Sequence, residues 1–90
     1  MAAFYVTKDP NAVLDYGFDW EEWLDGDTID TSTWTVPAGI TKDSDSKTTL
    51  TTTVVLSGGT AGQWYAVLNR ITTAGGLTDD RTLMVRVADK

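Results

Sequence analysis

Gly62 to Thr73 reads GQWYAVLNRITT. Two sets of side chains alternate along it: Tyr65, Val67, Asn69 and Ile71 against Trp64, Ala66, Leu68 and Arg70. A period of two with a mostly apolar set on one side predicts a half-buried β-strand. The same parity separates two large aromatics. If Tyr65 points into a core, Trp64 points away from it. A turn, Gly58-Gly59-Thr60-Ala61-Gly62, precedes the strand, and Ala74-Gly75-Gly76 predicts a hairpin turn after it. The hairpin leads into a last strand over Arg81–Val87, with Leu83, Val85 and Val87 on one face.

Outward from this centre the pattern repeats. Thr49–Leu56 predicts a strand with Leu50, Thr52, Val54 and Leu56 on one side. Thr28–Val36 predicts another, with Ile29 in the core and Trp34 and Val36 sharing a face. Ile40 opens a short strand at most, and Lys42–Lys47 (KDSDSK) reads as a polar loop. Val13–Asp19 alternates cleanly, with Leu14, Tyr16, Phe18 and Trp20 facing one way. There the period changes: Trp20, Trp23 and Leu24 fall at i, i+3 and i+4, with Asp19 placed as a cap and Gly26 as a stop. That predicts one helical turn at 21–24, or a bulged strand running through. Ala3–Thr7 is a first strand or an arm, ended by Pro10, so 1–11 form an arm or first strand and 12–90 the domain.

These are about seven short strands with turns every eight to twelve residues, which predicts an all-β sandwich. A tyrosine that enters a late strand just after a glycine-rich corner is similar to the tyrosine corner of immunoglobulin-like sandwiches. An immunoglobulin-like β-sandwich is therefore the expected fold.

Composition excludes more than it assigns. Without cysteine or histidine the chain lacks disulfides, thiol nucleophiles, Ser-His-Asp sites and the usual zinc ligand sets. A net charge of -6, with the basic residues scattered, opposes binding to nucleic-acid phosphates and to anionic membranes. No apolar run reaches the ~20 residues that span a bilayer, and Met1–Val6 is no signal peptide, so folding in the cytoplasm is expected.

Three segments together carry a resemblance: KDPNAVLDY, DYGFDWEEWLDGDTIDTSTWTVPAGI and VVLSGGTAGQWYAVLNRITTAGGLTDDRTLMVRV. The chain from Lys8 to Val87 resembles a family of small tailed-bacteriophage virion proteins with an immunoglobulin-like fold, of the fibre–tail adaptor type. The specific parts are Asp19-Trp20, Trp23-Leu24 and Gly26-Asp27-Thr28-Ile29, then Gly62, Tyr65, Val67 and Asn69. The resemblance implies a non-enzymatic virion subunit, assembled in many copies in the host cytoplasm, that links the tail or neck to fibres. Its partners would be other virion proteins, without nucleic acid, membrane, cofactor or metal. A capsid decoration protein and a carbohydrate-binding module stand as alternatives.

The candidate residues divide accordingly. Trp20, Trp34, Tyr65 and Val67 are expected in the core. Phe4, Tyr5, Trp23, Trp64, Asp79, Asp80 and Arg81 are candidates for a subunit interface. Against that, Phe4 and Tyr5 can belong to an ordinary first strand, Trp64 can lie as a lid over its neighbours, and Asp79 to Arg81 can form a solvated edge. Trp20, Trp23 and Trp34 beside Asp19, Glu22 and Asp27 can be drawn as a sugar platform, although a thin core needs such rings. Glu21 and Glu22 diverge, and a glycosidase pair must converge across a cleft. Asp25, Asp27 and Asp30 are the first place to look for calcium, but they match no calcium-loop spacing.

Overall fold

The computed structural model describes residues 2–89. The alternation of Gly62–Thr73 becomes strand Trp64–Thr73, in which residues 65, 67, 69, 71 and 73 are buried. In chain order the elements are β1 (Ala2–Lys8), β2 (Leu14–Asp19), α1 (Glu21–Leu24), β3 (Ile29–Thr35), β4 (Ile40–Lys47), β5 (Thr51–Gly58), β6 (Trp64–Thr73) and β7 (Thr78–Val87).

The strands form two sheets, one of order β1-β7-β6-β3 and one of order β2-β5-β4. Every pairing is antiparallel except β1 with β7, which runs parallel from Ala2↔Arg81 to Lys8↔Val87. The sheets face each other as a β-sandwich. Their order is similar to the B-E-D and G-F-C sheets of immunoglobulin-like sandwiches, with the first strand joined to the last. The molecule is elongated, with extents of 41 × 22 × 20 Å.

The core lies between the sheets. Trp20, Val54, Leu56, Val67, Ile71, Val85 and Val87 are fully buried there, with Trp34 and Tyr65 nearly so. Trp34 stacks on Phe18 at 5.7 Å between ring centroids, and Trp23 meets Trp20 edge-on at 5.5 Å. Offset and edge contacts of this kind are the favoured aromatic geometries.

A buried polar cluster crosses the core. Trp20 Nε1 donates to Thr52 Oγ1 at 3.1 Å and to Asn69 Oδ1 at 3.2 Å. Thr52 Oγ1 donates to the same Asn69 oxygen at 2.7 Å. Asn69 Nδ2 then donates to Ser32 Oγ and to the Thr33 carbonyl. The cluster ties β5 of one sheet to β6 and β3 of the other. Every member needs its partners, because an unpaired polar atom costs much more inside a core than in water.

The crossing from β5 to β6 is locked by Tyr65, whose hydroxyl accepts from the Thr60 N–H at 2.9 Å. Two glycines shape this corner, one against the ring and one against Val87. A Cβ on Gly39 would lie 3.0 Å from Tyr65 Cε1, and one on Gly59 would lie 2.5 Å from Val87 Cγ2. Both also have a φ near +100°, which only glycine adopts freely.

The expected helical turn forms as α1. Asp19 accepts from the Glu21 N–H at 3.0 Å, Leu24 is buried, and Asp25 ends the turn in the left-handed region. One expectation is corrected, and one residue of a predicted face stays outside the core. Lys42–Lys47 is not a loop but most of β4, an edge strand with only Ile40 buried. Ladder bonds to β5 are made by the backbone, so a strand exposed on both faces needs no apolar alternation. Leu14 does not join the core: it starts edge strand β2 and is 41% exposed. Burial along β2 becomes complete only at Phe18.

Candidate functional site

The two sheets show different surfaces. The edge strands of the three-stranded sheet carry charge along their length: Asp15 and Asp19 on β2, and Lys42, Asp43, Asp45 and Lys47 on β4. The edge strands of the four-stranded sheet carry almost none: Lys8 at the end of β1 and Asp30 at the start of β3. Charges on an edge discourage pairing with other chains, so the two sheets are guarded unequally.

The outer face of the four-stranded sheet follows from parity. Because Tyr65, Val67, Asn69 and Ile71 point inward, Trp64, Ala66, Leu68 and Arg70 point outward along β6. The β6–β7 register sets Arg86, Met84, Thr82 and Asp80 beside them in turn. On β1 the register puts Tyr5 next to Met84. Tyr5 is 70% exposed and Trp64 51%, and their rings meet edge-on at 6.1 Å. Together with Leu68 and Met84 they form an apolar strip on the outside of the sheet. Aromatics and arginine on such a strip are the residue types enriched where proteins dock.

The charges on this face are few. Arg70 holds Asp80 through two parallel bonds, Nε to Oδ1 at 2.7 Å and Nη2 to Oδ2 at 2.9 Å. This hydrogen-bonded pairing keeps the Asp80 carboxyl below its usual range. Arg86 is exposed and has no hydrogen bond or ion pair with a described residue.

The other candidate residues lie elsewhere. Phe4 points inward, with its ring 4.8 Å from that of Phe18, although 40% of it remains exposed at the sandwich margin. Trp23 is half-buried against the core at the acidic end of the molecule. Asp79, Asp80 and Arg81 do not act as one solvated edge. Arg81 turns inward, its guanidinium 4.0 Å from the Trp20 ring centroid, and donates to the Asp19 carbonyl at 2.9 Å. Burial lowers its pKa against the pull of Asp79 and Asp19. Nothing in the sequence marked this, because the inward parity of position 81 is shared with apolar residues.

A sugar platform built from Trp20, Trp23 and Trp34 does not reach the surface, since Trp20 is 0% and Trp34 5% exposed. The acidic turns have structural work. Asp27 accepts from the Thr28 N–H at 2.8 Å and the Gly75 N–H at 3.2 Å. It thereby clasps the β6–β7 turn to the start of β3. Among the described residues no group of three or more acidic side chains is placed to hold a metal ion, and no pocket opens.

Sequence reasoning missed Lys8. It is fully buried, and its ammonium donates to the Asp9 carbonyl at 2.9 Å and the Gly58 carbonyl at 2.8 Å. Burial pushes its pKa down, opposed by Asp9 and Asp43. The link fastens the end of β1 to the corner that Tyr65 locks. The parity of Phe4, Val6 and Lys8 was its only trace.

Comparison with known proteins adds the biological context. No curated protein matches the chain. The family described as podophage GP4 fiber-tail adaptor protein gp77 matches residues 8–86, and the chain belongs to that family.

Proposed function

We propose that the protein is a non-enzymatic structural adaptor of a podophage virion, joining the tail to its fibres through protein–protein contacts. Family membership over residues 8–86 carries this reading. The architecture suits it: a narrow two-sheet body cross-linked by a buried polar cluster, with an apolar strip along one sheet face. Its partners are other tail and fibre proteins, and its place is the virion, after assembly in the host cytoplasm in several copies. Docking draws on the outer face of the four-stranded sheet, where Tyr5 and Trp64 are exposed.

Quantitative mass spectrometry of purified particles tests the proposal. A few copies per particle, in the ratio expected of a single tail ring, support an adaptor. Copies in proportion to the capsid shell would make it a decoration protein. Absence from the particle would sink both.

A further inference from the structure

A second surface lies on one side of the sandwich, where both sheets stop. Strands β1 and β2 are edge strands of opposite sheets. A tight turn joins them, in which the Ala12 N–H donates to the Asp9 carbonyl at 3.0 Å. They border the same margin, across which the rings of Phe4 and Phe18 meet. The inward positions of β2 are Leu14, Tyr16 and Phe18, and only Phe18 is buried. Leu14 is 41% exposed, Phe4 40%, and the neighbouring Val13 60%. These apolar side chains stay wet because no third strand covers the margin among the described residues.

The backbone of β2 is open along the same line. The Trp20 N–H bonds to the Leu50 carbonyl, on the side of β5, whereas the Asp19 carbonyl takes its bond from Arg81 at 2.9 Å. In an antiparallel strand the N–H and C=O of one residue point the same way, and the direction alternates along the chain. Asp15 and Gly17, in phase with Asp19, therefore turn theirs to the open edge. Arg81 already uses this edge as an acceptor.

Charge states what fits there. Asp15 and Asp19 flank Gly17 on the outer face of β2, and Asp15 has no ion pair among the described residues. The two carboxylates repel a second copy of this chain, whose net charge is -6, and attract a cation. Gly17 carries no side chain, so a long basic side chain opposite it has room to reach both.

We propose that the β2 edge takes an added strand from another virion protein: an extended segment with Lys or Arg at alternate positions and apolar side chains between them. The apolar set turns inward over Leu14, Tyr16 and Phe4, and the basic set lies outward beside Asp15 and Asp19. The six residues of β2 rise ~3.4 Å each, which gives ~20 Å of edge and room for a segment of similar length. Main-chain bonds to Asp15 and Gly17 supply the pairing, and the alternating side chains supply the selectivity. The charges that keep two copies apart are the ones that choose this partner.

The isolated chain tests this with synthetic peptides, so the proposal can fail while the adaptor role stands. Acetyl-KVKVKV-amide should bind, and amide exchange followed by NMR should slow at Asp15 and Gly17. Added salt should weaken the binding. Acetyl-EVEVEV-amide has the same apolar face with the opposite charge, and acetyl-KKKVVV-amide has the same charge without the alternation. Both should bind much more weakly. Asp15→Pro removes one carboxylate and one outward N–H, which an edge strand tolerates. It should lose the peptide with unchanged thermal unfolding. The proposal is overturned if acetyl-KVKVKV-amide fails to bind at millimolar concentration, or if all three peptides bind equally. Protection at β4 instead of β2 overturns it too, as does an Asp15→Pro protein that keeps full affinity. If Asp15→Pro unfolds, the exchange map of the wild type decides.

Discussion

Trp20 and Trp34 are indistinguishable by hydropathy, and both are buried, yet they differ at one atom. Trp20 Nε1 has two hydrogen-bond acceptors, whereas Trp34 Nε1 is buried without one. Trp20→Phe therefore removes packing and also leaves Thr52 and Asn69 without their shared donor. Trp34→Phe removes packing along with an N–H that had no partner. Trp20→Phe should cost about 1–2 kcal/mol more than Trp34→Phe, read from denaturant midpoints at constant slope. A second residue sets the response to acid. Hydrogen bonds from the Thr73 side chain and the Thr28 backbone hold Asp27 below its ordinary pKa, with a smaller contribution from Gly75. A lowered carboxylate pKa favours the native state above the unfolded value of about 4 and loses that stabilisation as pH falls through the folded pKa. Asp27→Asn should accordingly flatten the acid limb of a stability-versus-pH curve below about pH 4. An unchanged acid limb would mean that the hydrogen bonds from Thr73, Thr28 and Gly75 to Asp27 contribute nothing to stability.

Among the elements, β1 is the one most dependent on a single side chain. It forms one edge of its sheet, in the only parallel pairing among the described residues, and its end is tied down by Lys8. Lys8→Ala deletes two charge-assisted bonds and a buried stem, partly offset by relief of the buried charge. The net loss should be about 2 kcal/mol. Hydrogen exchange should show where it falls: amides of β1 speed up most, while those of β5 and β6 keep their order of protection. Uniform acceleration would mean that β1 is part of the same cooperative unit as the core. At this scale β5, β6 and β7 were legible in the sequence, because strands with one buried face must alternate. The strand β4 was not legible, since an edge strand exposed on both faces leaves no apolar period. The turn α1 was legible because its apolar spacing switches from two to three and four.

For the whole molecule, topology governs the kinetics. Apart from the β4–β5 and β6–β7 hairpins, the strand pairings join segments far apart in the chain, such as β1 with β7 and β3 with β6. Closing such loops costs entropy before the contacts form, so folding should be slow for so small a domain, in the millisecond-to-second range. Stopped-flow tryptophan fluorescence measures this directly. Microsecond folding would show that local structure, not the cross-sheet pairing, limits the rate.

By itself the sequence determined that the protein is an all-β domain with a tryptophan-rich core, without the side chains of a thiol, histidine or disulfide site. These properties follow from residue type and local period, which need no knowledge of neighbours. It also marked Tyr65 as a corner residue and Trp64 as outward, because parity along one strand is a local property. Only the tertiary structure decided which strands adjoin. From that came the Trp20–Thr52–Asn69 cluster, the inward turn of Arg81 and the burial of Lys8. Each joins residues distant in sequence, and a local pattern says which way a side chain points but not what it meets.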